Sequence, residues 1–441
     1  MNILSITLCS IFVLYYVANK IIYNVNFLMK PGFVVSFVFL ILQVGSSLRL
    51  YGLVECRSIT YFLCLLSVIC FVCGTTLANK TKTFTKSEDH YKVGYEVNYL
   101  LSYGAIIASI LIMLPFAKNM ISSLQSMGLD ALLAFRESAT SDEGLLFQNT
   151  SSLSYFLYDL IVQPLCYTMP AVVAIDFTRG RKDKFLLIGA IILIVFKTLF
   201  TLNRATLFYA LIIFMFIYFA NGGKLNISFT QKILIAVIAT GVLFAIYYIT
   251  SIRATMTLQK SIYKYIAGVL PNLDLRLDTV STSGLWTMGF ASLRGVFNKA
   301  WSILKAIDPI GIFNYPNWYY RLGEILNVEA PVIIGDGLRM NAFVTPIYAM
   351  YIDAREFGVA IGMFIYGYFS QKMYLKFRTI HNAKYDALYS IIWLGLVFSF
   401  IRMQFSNNAY AYGVIFCYFL IRKSNGMHNR EEINGIGIKT S

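Results

Sequence analysis

The densest group of residues able to do chemistry runs from Asp336 to Gly362. It reads Asp336-Gly-Leu-Arg339-Met-Asn341-Ala-Phe-Val-Thr345-Pro346, then Tyr351-Ile-Asp353-Ala-Arg-Glu356-Phe-Gly358 and Gly362. Thr345 before Pro346 predicts a helix start, with threonine as N-cap and proline at the first helical position, where its missing N–H costs nothing. The unpaired N–H groups and positive dipole end of such a helix make an anion site. Asp336, Asp353 and Glu356 are the carboxylates of this stretch, and proton transfer outside the membrane would fall to groups of this kind. Asp274, Asp278, Asp308, Glu324 and Glu329 are further loop carboxylates of the solvated sort.

A second cationic group lies earlier, in Phe196-Lys197-Thr-Leu-Phe-Thr-Leu-Asn-Arg204. Lys197 and Arg204 are close to two helical turns apart and so project from one face. Ionisable residues within spans are costly and usually face a cavity. A lysine and an arginine placed there suit a phosphate group arriving from the membrane, because guanidinium binds phosphate in bidentate fashion. The alternative is a topology anchor, with Lys197 snorkelling to the surface. Arg253, Arg339 and Arg402 also sit where a span meets the outside.

These residues need elements to hold them, and composition dictates which. The chain has 441 residues, 58% apolar and 13% charged. Soluble domains are nearer a quarter charged, so a water-soluble fold is excluded. Apolar runs of bilayer length recur with centres near Ile11, Phe39, Leu66, Ile107, Pro164, Ile191, Ile212, Ala239, Ile365, Leu394 and Ile415, which makes about eleven transmembrane helices. Helices are required because lipid offers the backbone no other partner. The expected fold is therefore an all-α polytopic integral membrane protein.

The net charge of +15 is distributed as topology rather than as a nucleic-acid surface. The loop Arg179-Gly-Arg-Lys-Asp-Lys184 is the strongest basic signal. With alternating helices, Lys80–Lys92, Lys224–Lys232, Lys372–Lys384 and the tail from Arg422 fall on the same, cytoplasmic side. The N-terminus then lies outside, together with loops 118–152 and 251–341. The first apolar stretch has no small-residue cleavage site after it and reads as a retained span. One membrane domain, 1–425, is expected, followed by a disordered tail, 426–441. All three histidines, His90, His381 and His428, fall on the cytoplasmic side. No histidine-based nucleophile pair or metal site can then be built outside. The cysteines lie mostly in apolar runs and behave as small hydrophobes.

Loop 251–341 holds Trp286, Trp301 and Trp318, three of the four tryptophans, and the run Asn314-Tyr-Pro-Asn-Trp-Tyr-Tyr-Arg321. Disordered segments are poor in aromatics, so this long loop folds. It continues helix-like to about Tyr265, with breaks expected at Leu270-Pro271-Asn272, Ser281–Gly284 and Asn314–Asn317. In loop 118–152, residues 121–135 have helical spacing that suits a short interfacial helix.

The stretch Asn341…Thr345…Tyr351-x-Asp353…Phe357-Gly358…Gly362 resembles the late signature of bacterial oligosaccharide repeat-unit polymerases, the Wzy family. The turn with Arg204 and Leu207 and the plan of ten to twelve helices with one large late outside loop are similar to that family as well. This resemblance implies a GT-C-like architecture and metal-independent glycosyl transfer without a cofactor at the outer face of the plasma membrane. The implied substrates are undecaprenyl-diphosphate-linked oligosaccharides, with membrane lipids and a chain-length regulator protein as partners. It implies diphosphate contacts from Arg204, Arg339, Arg253, Lys197 and Thr345, and glycan contacts from Trp318, Tyr319 and Asn341. The family pattern brings glycine directly after the Asp-aromatic pair, whereas Asp353-Ala-Arg-Glu-Phe-Gly358 intervenes here. The base is then Asp353, Asp336 or Glu356. Related ligases use an outward histidine, which this chain lacks. A flippase for the same lipid is the rival reading, but no paired repeat is visible.

Overall fold

The computed structural model describes residues 1–23, 27–81, 94–127, 151–201, 205–221, 257–308, 310–312, 314, 316–380 and 382–424. The elements are α1 (Asn2–Tyr23), α2 (Pro31–Ser47), α3 (Ser58–Lys80), β1 (Tyr95–Val97), α4 (Tyr99–Met127), α5 (Ser152–Arg179), α6 (Lys184–Thr201), α7 (Ala205–Ala220), α8 (Leu258–Ala267), α9 (Val269–Ser283), α10 (Arg294–Ala306), α11 (Asn317–Leu326), β2 (Val332–Gly335), β3 (Leu338–Met340), α12 (Thr345–Thr379), α13 (Ala383–Val397), α14 (Asn408–Leu420) and β4 (Ile421–Lys423). Every expected span centre except Ala239 falls in one of these helices, and Ala239 lies outside the described residues. Among the described residues four helical segments are long and apolar enough to cross a bilayer: Asn2–Lys20, Ser58–Lys80, Tyr99–Ser122 and Ser152–Arg179. Pro31–Ser47, Ala205–Ala220 and Asn408–Leu420 are shorter apolar helices.

Two apolar cores hold the bundle. One gathers α2, α3, α9 and α12 around Phe39, Leu63, Phe71, Leu273 and Ile347. The other gathers α5, α7, α13 and α14 around Leu165, Met169, Ile213, Tyr389 and Tyr410. The tightest pairing is α3 against α12. A side chain on Gly74 would strike the Phe364 carbonyl, and one on Gly367 would strike the Phe71 carbonyl. Small residues let two membrane helices approach backbone to backbone, where packing replaces the hydrophobic drive that lipid does not supply.

The polar segments sort to two opposite ends. At one end Lys372 donates to the Thr81 carbonyl at 2.9 Å and Gln371 to Asn79 at 2.8 Å. There Arg179 pairs with Asp386 at 2.7 Å, and β1 runs antiparallel to β4 with Tyr95 opposite Lys423. The buried Asp176 carboxylate accepts from the backbone N–H of Arg181 and Asp183 and from the Tyr99 hydroxyl, shaping the 179–184 turn. The segments around Lys80, Arg179–Lys184, Lys372–Lys384 and Arg422 therefore share one end, as their charge predicts. Lys224–Lys232 lies outside the described residues.

The other end carries residues 257–344. Here α9 is driven into the first core, with Leu270, Leu273, Leu277 and Val280 buried. Its Asp274 is clamped by Arg57 at 3.1 Å and by the Thr60 hydroxyl. The β2–β3 hairpin docks through the Val54 N–H on the Ile334 carbonyl at 2.8 Å. The break expected at Leu270-Pro271-Asn272 is corrected: the chain turns at Gly268, and Pro271 lies in the first turn of α9. Proline is tolerated there because that N–H has no intrahelical acceptor anyway. The break at Ser281–Gly284 is present, with Gly284 left-handed after α9. Residues 121–127, expected to open a separate interfacial helix in loop 118–152, are helical but continue α4, which runs past Pro115 to Met127. Residues 128–150 lie outside the described residues.

Candidate functional site

The first turn of α12 opens onto a cleft of about 420 Å³, solvent included, lined by the polar residues Arg294, Thr345, Tyr348, Arg402 and Ser406. Thr345 is 1% exposed and adopts φ +58, and its hydroxyl accepts the Ile347 N–H at 3.3 Å. The expected N-cap is corrected: the hydroxyl serves the first turn, but the helix begins at Thr345 itself, with Val344 at the cap position and no side-chain cap bond. Thr345 and Arg402 are also bridge partners, with the Val344 N–H on the Ile401 carbonyl at 2.7 Å. That bridge brings Arg402 beside the amino end of α12.

Each wall is fixed from below. Arg276 of α9 donates to the carbonyls of Val328 and Ala330 at 3.1 and 2.5 Å and to Asn272 at 3.0 Å. Asn272 holds the Phe343 carbonyl at 2.7 Å. Neighbouring residues of α9 thereby set the chain on both sides of the cleft. Burial lowers the pKa of Arg276, with Tyr348 and Glu329 acting in the opposite sense. Tyr348 donates to the Ile325 carbonyl at 2.8 Å. Glu329, between the two carbonyls that Arg276 holds, pairs with Arg402 at 3.2 Å.

Arg294 enters as the first residue of α10. Its guanidinium lies 5.8 Å from the Tyr319 ring centre, and its Nε is buried without an acceptor among the described residues. A buried donor without a partner is expensive, so an acceptor of matching charge is favoured there. The helix can approach because Gly295 lies against the Phe405 and Asn407 carbonyls, where any side chain would collide.

Of the residues singled out in the sequence, Thr345 and Arg402 meet in the cleft. Asp353 does not. Its carboxylate is 5% exposed and accepts from Thr287 Oγ1 at 2.6 Å, the Ala291 and Ser292 N–H groups at 2.9 and 3.1 Å, and Ser292 Oγ at 2.5 Å. Its carbonyl accepts from Thr287 and Met288 at the point where α12 breaks, at Ala354 and Arg355. A carboxylate so surrounded is a fixed structural acceptor rather than a free base. Glu356 lies half-buried beyond that break. Asp336 is exposed in the β2–β3 turn, where its carbonyl accepts from Lys260 at 3.1 Å. Arg339 points to solvent on β3, and Asn341 is exposed and donates to the Glu329 carbonyl at 3.0 Å. Lys197 does not snorkel: it is 6% exposed and donates to Thr206 at 3.1 Å. Tyr319 is 6% exposed, bonded to Asn298 and stacked on Trp301, so its ring is core rather than a glycan platform. Trp318 is half-buried against Phe290. Arg204 and Arg253 lie outside the described residues, as do His90, His381 and His428.

Arg294 and Ser406 had no mark in the sequence. Both arrive through tertiary contact, with Gly295 and the Asn407-Asn408 helix start as the only local signals. Among the described residues no group of three or more His, Cys, Asp or Glu side chains is placed to hold a metal ion. Protein-family models, curated proteins and solved structures gave no match to the chain.

Proposed function

We propose that this protein is a membrane glycosyltransferase that polymerises lipid-diphosphate-linked oligosaccharide repeat units. The observation that carries the proposal is that Arg294 and Arg402 both line the cleft at the amino end of α12. Two guanidiniums and a helix N-terminus in one cleft suit a diphosphate, and they act most strongly on a leaving group as its charge develops. In this reading about eleven helices cross the bilayer. The basic end faces the cytoplasm of a bacterial cell and the 257–344 end lies outside. The architecture is of the GT-C kind.

In the reaction an acceptor hydroxyl attacks the anomeric carbon of a glycan on undecaprenyl diphosphate. A new C–O glycosidic bond forms, and the anomeric C–O bond to phosphate breaks. The electron pair leaves with the diphosphate, which Arg294 and Arg402 receive. The acceptor proton passes to a carboxylate. Glu329, at the cleft through its bond to Arg402, is better placed for this than Asp353, whose lone pairs are committed. Asp353 then acts as a positioning residue that fixes the approach of Arg294. The product is O-antigen or capsular polysaccharide.

The test is gel analysis of surface polysaccharide from a deletion strain. Loss of a polymerase leaves single repeat units. Loss of a flippase removes even those, and unchanged long ladders would overturn the proposal. Complementation with Arg402→Ala at normal membrane abundance is expected to leave the single-unit pattern.

A further inference from the structure

Exposed apolar side chains cluster along one segment of the 257–344 end: Trp286 and Met288 before α10, Ile303 and Leu304 on it, and Ile307 and Ile310 after it. Met288 is 83% exposed, Ile307 70% and Ile310 80%. Apolar clusters of this kind on a folded surface mark a contact, and here the depth of the segment says with what.

Two routes through the fold give that depth. Lys299 of α10 pairs at 2.6 Å with Asp159, in a π-helical turn of α5. About 30 Å of helix separates Asp159 from Arg179 at the basic end. That length equals the thickness of a bilayer's hydrocarbon core. Independently, the Asp353 carbonyl holds the N–H groups of Thr287 and Met288. Beyond the break at Ala354 and Arg355, about 24 Å of α12 runs from Glu356 to Lys372 at the basic end. Along that stretch Phe357, Ile361 and Ile365 form an exposed apolar stripe, the lipid-facing side of the helix. Both routes put residues 287–299 level with the outer edge of the hydrocarbon.

The helix also lies in that plane. Gly295 abuts Asn407 at the head of α14, and Lys299 reaches Asp159, which is bonded to Asn408 on the same head at 3.1 Å. So α10 crosses the heads of α5 and α14 without descending between them. It buries Gly295 and Lys299 and leaves Phe297, Ile303 and Leu304 outward beside the exposed Lys305. An amphipathic helix with a cation on its rim and apolar residues on its free flank is the form that lies in a headgroup boundary.

We infer that Trp286–Asp308, together with Ile310, forms a membrane-seated collar, with Met288, Ile303, Leu304, Ile307 and Ile310 inserted at the headgroup–acyl boundary of the bilayer that the protein spans. The inference rests on depth and exposure, and it stands whatever reaction the cleft performs.

The test places a benzophenone amino acid at Met288, Ile307 or Ile333 in the full chain, reconstituted into phosphatidylethanolamine–phosphatidylglycerol vesicles and irradiated. Ile333 is as apolar and as exposed, at 66%, but sits on the hairpin beyond the end of α3. Lipid-mass adducts at Met288 and Ile307, at least five-fold above those at Ile333, are expected. Adduct levels equal to Ile333, or crosslinks from Ile307 to a second polypeptide, would overturn the collar. The photoproduct is read on protein that has kept its native gel-filtration profile, so misfolded variants are set aside before scoring. A second variant, Ile307→Asp, is expected to abolish lipid adducts from a probe at Ile310 while leaving those at Met288. Unchanged Ile310 adducts would also count against the collar.

Discussion

Ser292 is held at both its backbone N–H and its hydroxyl by the Asp353 carboxylate, at 3.1 and 2.5 Å, and Arg294 begins α10 just beyond. A residue about a quarter of the way along α12 thereby places a cation at the amino end of the same helix. Asp353→Asn should loosen this arrangement, because an amide offers one acceptor oxygen and turns a donor toward Thr287 or Ser292. The expected cost is on the order of 3 kcal/mol, from buried donors left unpaired. Thermal unfolding in detergent would read the loss. Competition by inorganic pyrophosphate would read weaker anion binding, although Asp353 lies outside the cleft. If the variant kept both stability and pyrophosphate affinity and lost only turnover, Asp353 would be the base.

Arg402 pairs with the Glu329 carboxylate, and under the proposed reaction it would exchange that partner for a phosphate. Glu329→Gln should therefore tighten pyrophosphate binding while slowing transfer. Arg402→Ala should weaken binding by roughly ten-fold or more, the size of one lost charge-assisted hydrogen bond. A fall in kcat alongside the fall in KM in the glutamine variant separates a proton acceptor from a mere ion-pair partner. A Glu329→Gln protein with unaltered turnover would end its candidacy.

Much of this arrangement was legible in the sequence, and the failures have physical causes. Apolar runs located ten of the described helices, four of them long and apolar enough to cross a bilayer, whereas α8–α11 carry no such run. The basic segments sorted to one end, where Arg179 meets Asp386 and Tyr95 meets Lys423. Thr345 was legible as a helix start because proline suits a first helical turn, but nothing in a Thr-Pro pair announces the left-handed φ of +58 that Thr345 adopts. Tyr319, expected as a glycan contact, is buried instead, because α11 is amphipathic and its spacing turns Tyr319 inward with Leu322. Asp353 looked like a free carboxylate because its four donors come from residues more than sixty positions away. Arg294 was invisible for the same reason: its place depends on Gly295 fitting against residues 405–407.

Gly74 and Gly367 each meet the carbonyl of the opposing helix, so the α3–α12 pair admits no side chain at either position. Gly367→Leu should force the helices apart at a cost of about 1–3 kcal/mol. Because α12 carries the cleft at its amino end, pyrophosphate binding should fall with it. Leucine at Gly104 is the control, since nothing lies within 4 Å of a side chain added there. Equal unfolding temperatures for the two leucine variants would contradict the close packing.

Cys56 and Arg57 report on how the 48–57 turn is fastened. Burial pushes the Cys56 thiol from 9.0 up to about 12, a hydrogen bond with Ser46 acting in the opposite sense. At pH 8 its thiolate fraction should be about a thousand-fold below that of a free thiol. A chain with its other cysteines replaced should then resist maleimide when folded and react at the ordinary rate when denatured. The sign for stability follows, because the fold favours the protonated thiol. This contribution is complete below pH 9 and is lost as the pH rises toward 12. Arg57 binds two carboxylates of unequal worth: Asp278 is 65% exposed and its pair is screened, whereas Asp274 is 7% exposed. Arg57→Ala strands the buried Asp274 charge and should open the turn, raising Cys56 labelling at pH 8 at least ten-fold. Asp278→Ala should leave that rate unchanged. Equal labelling in the two variants would mean that Val54 on Ile334, and not Arg57, holds the turn in place.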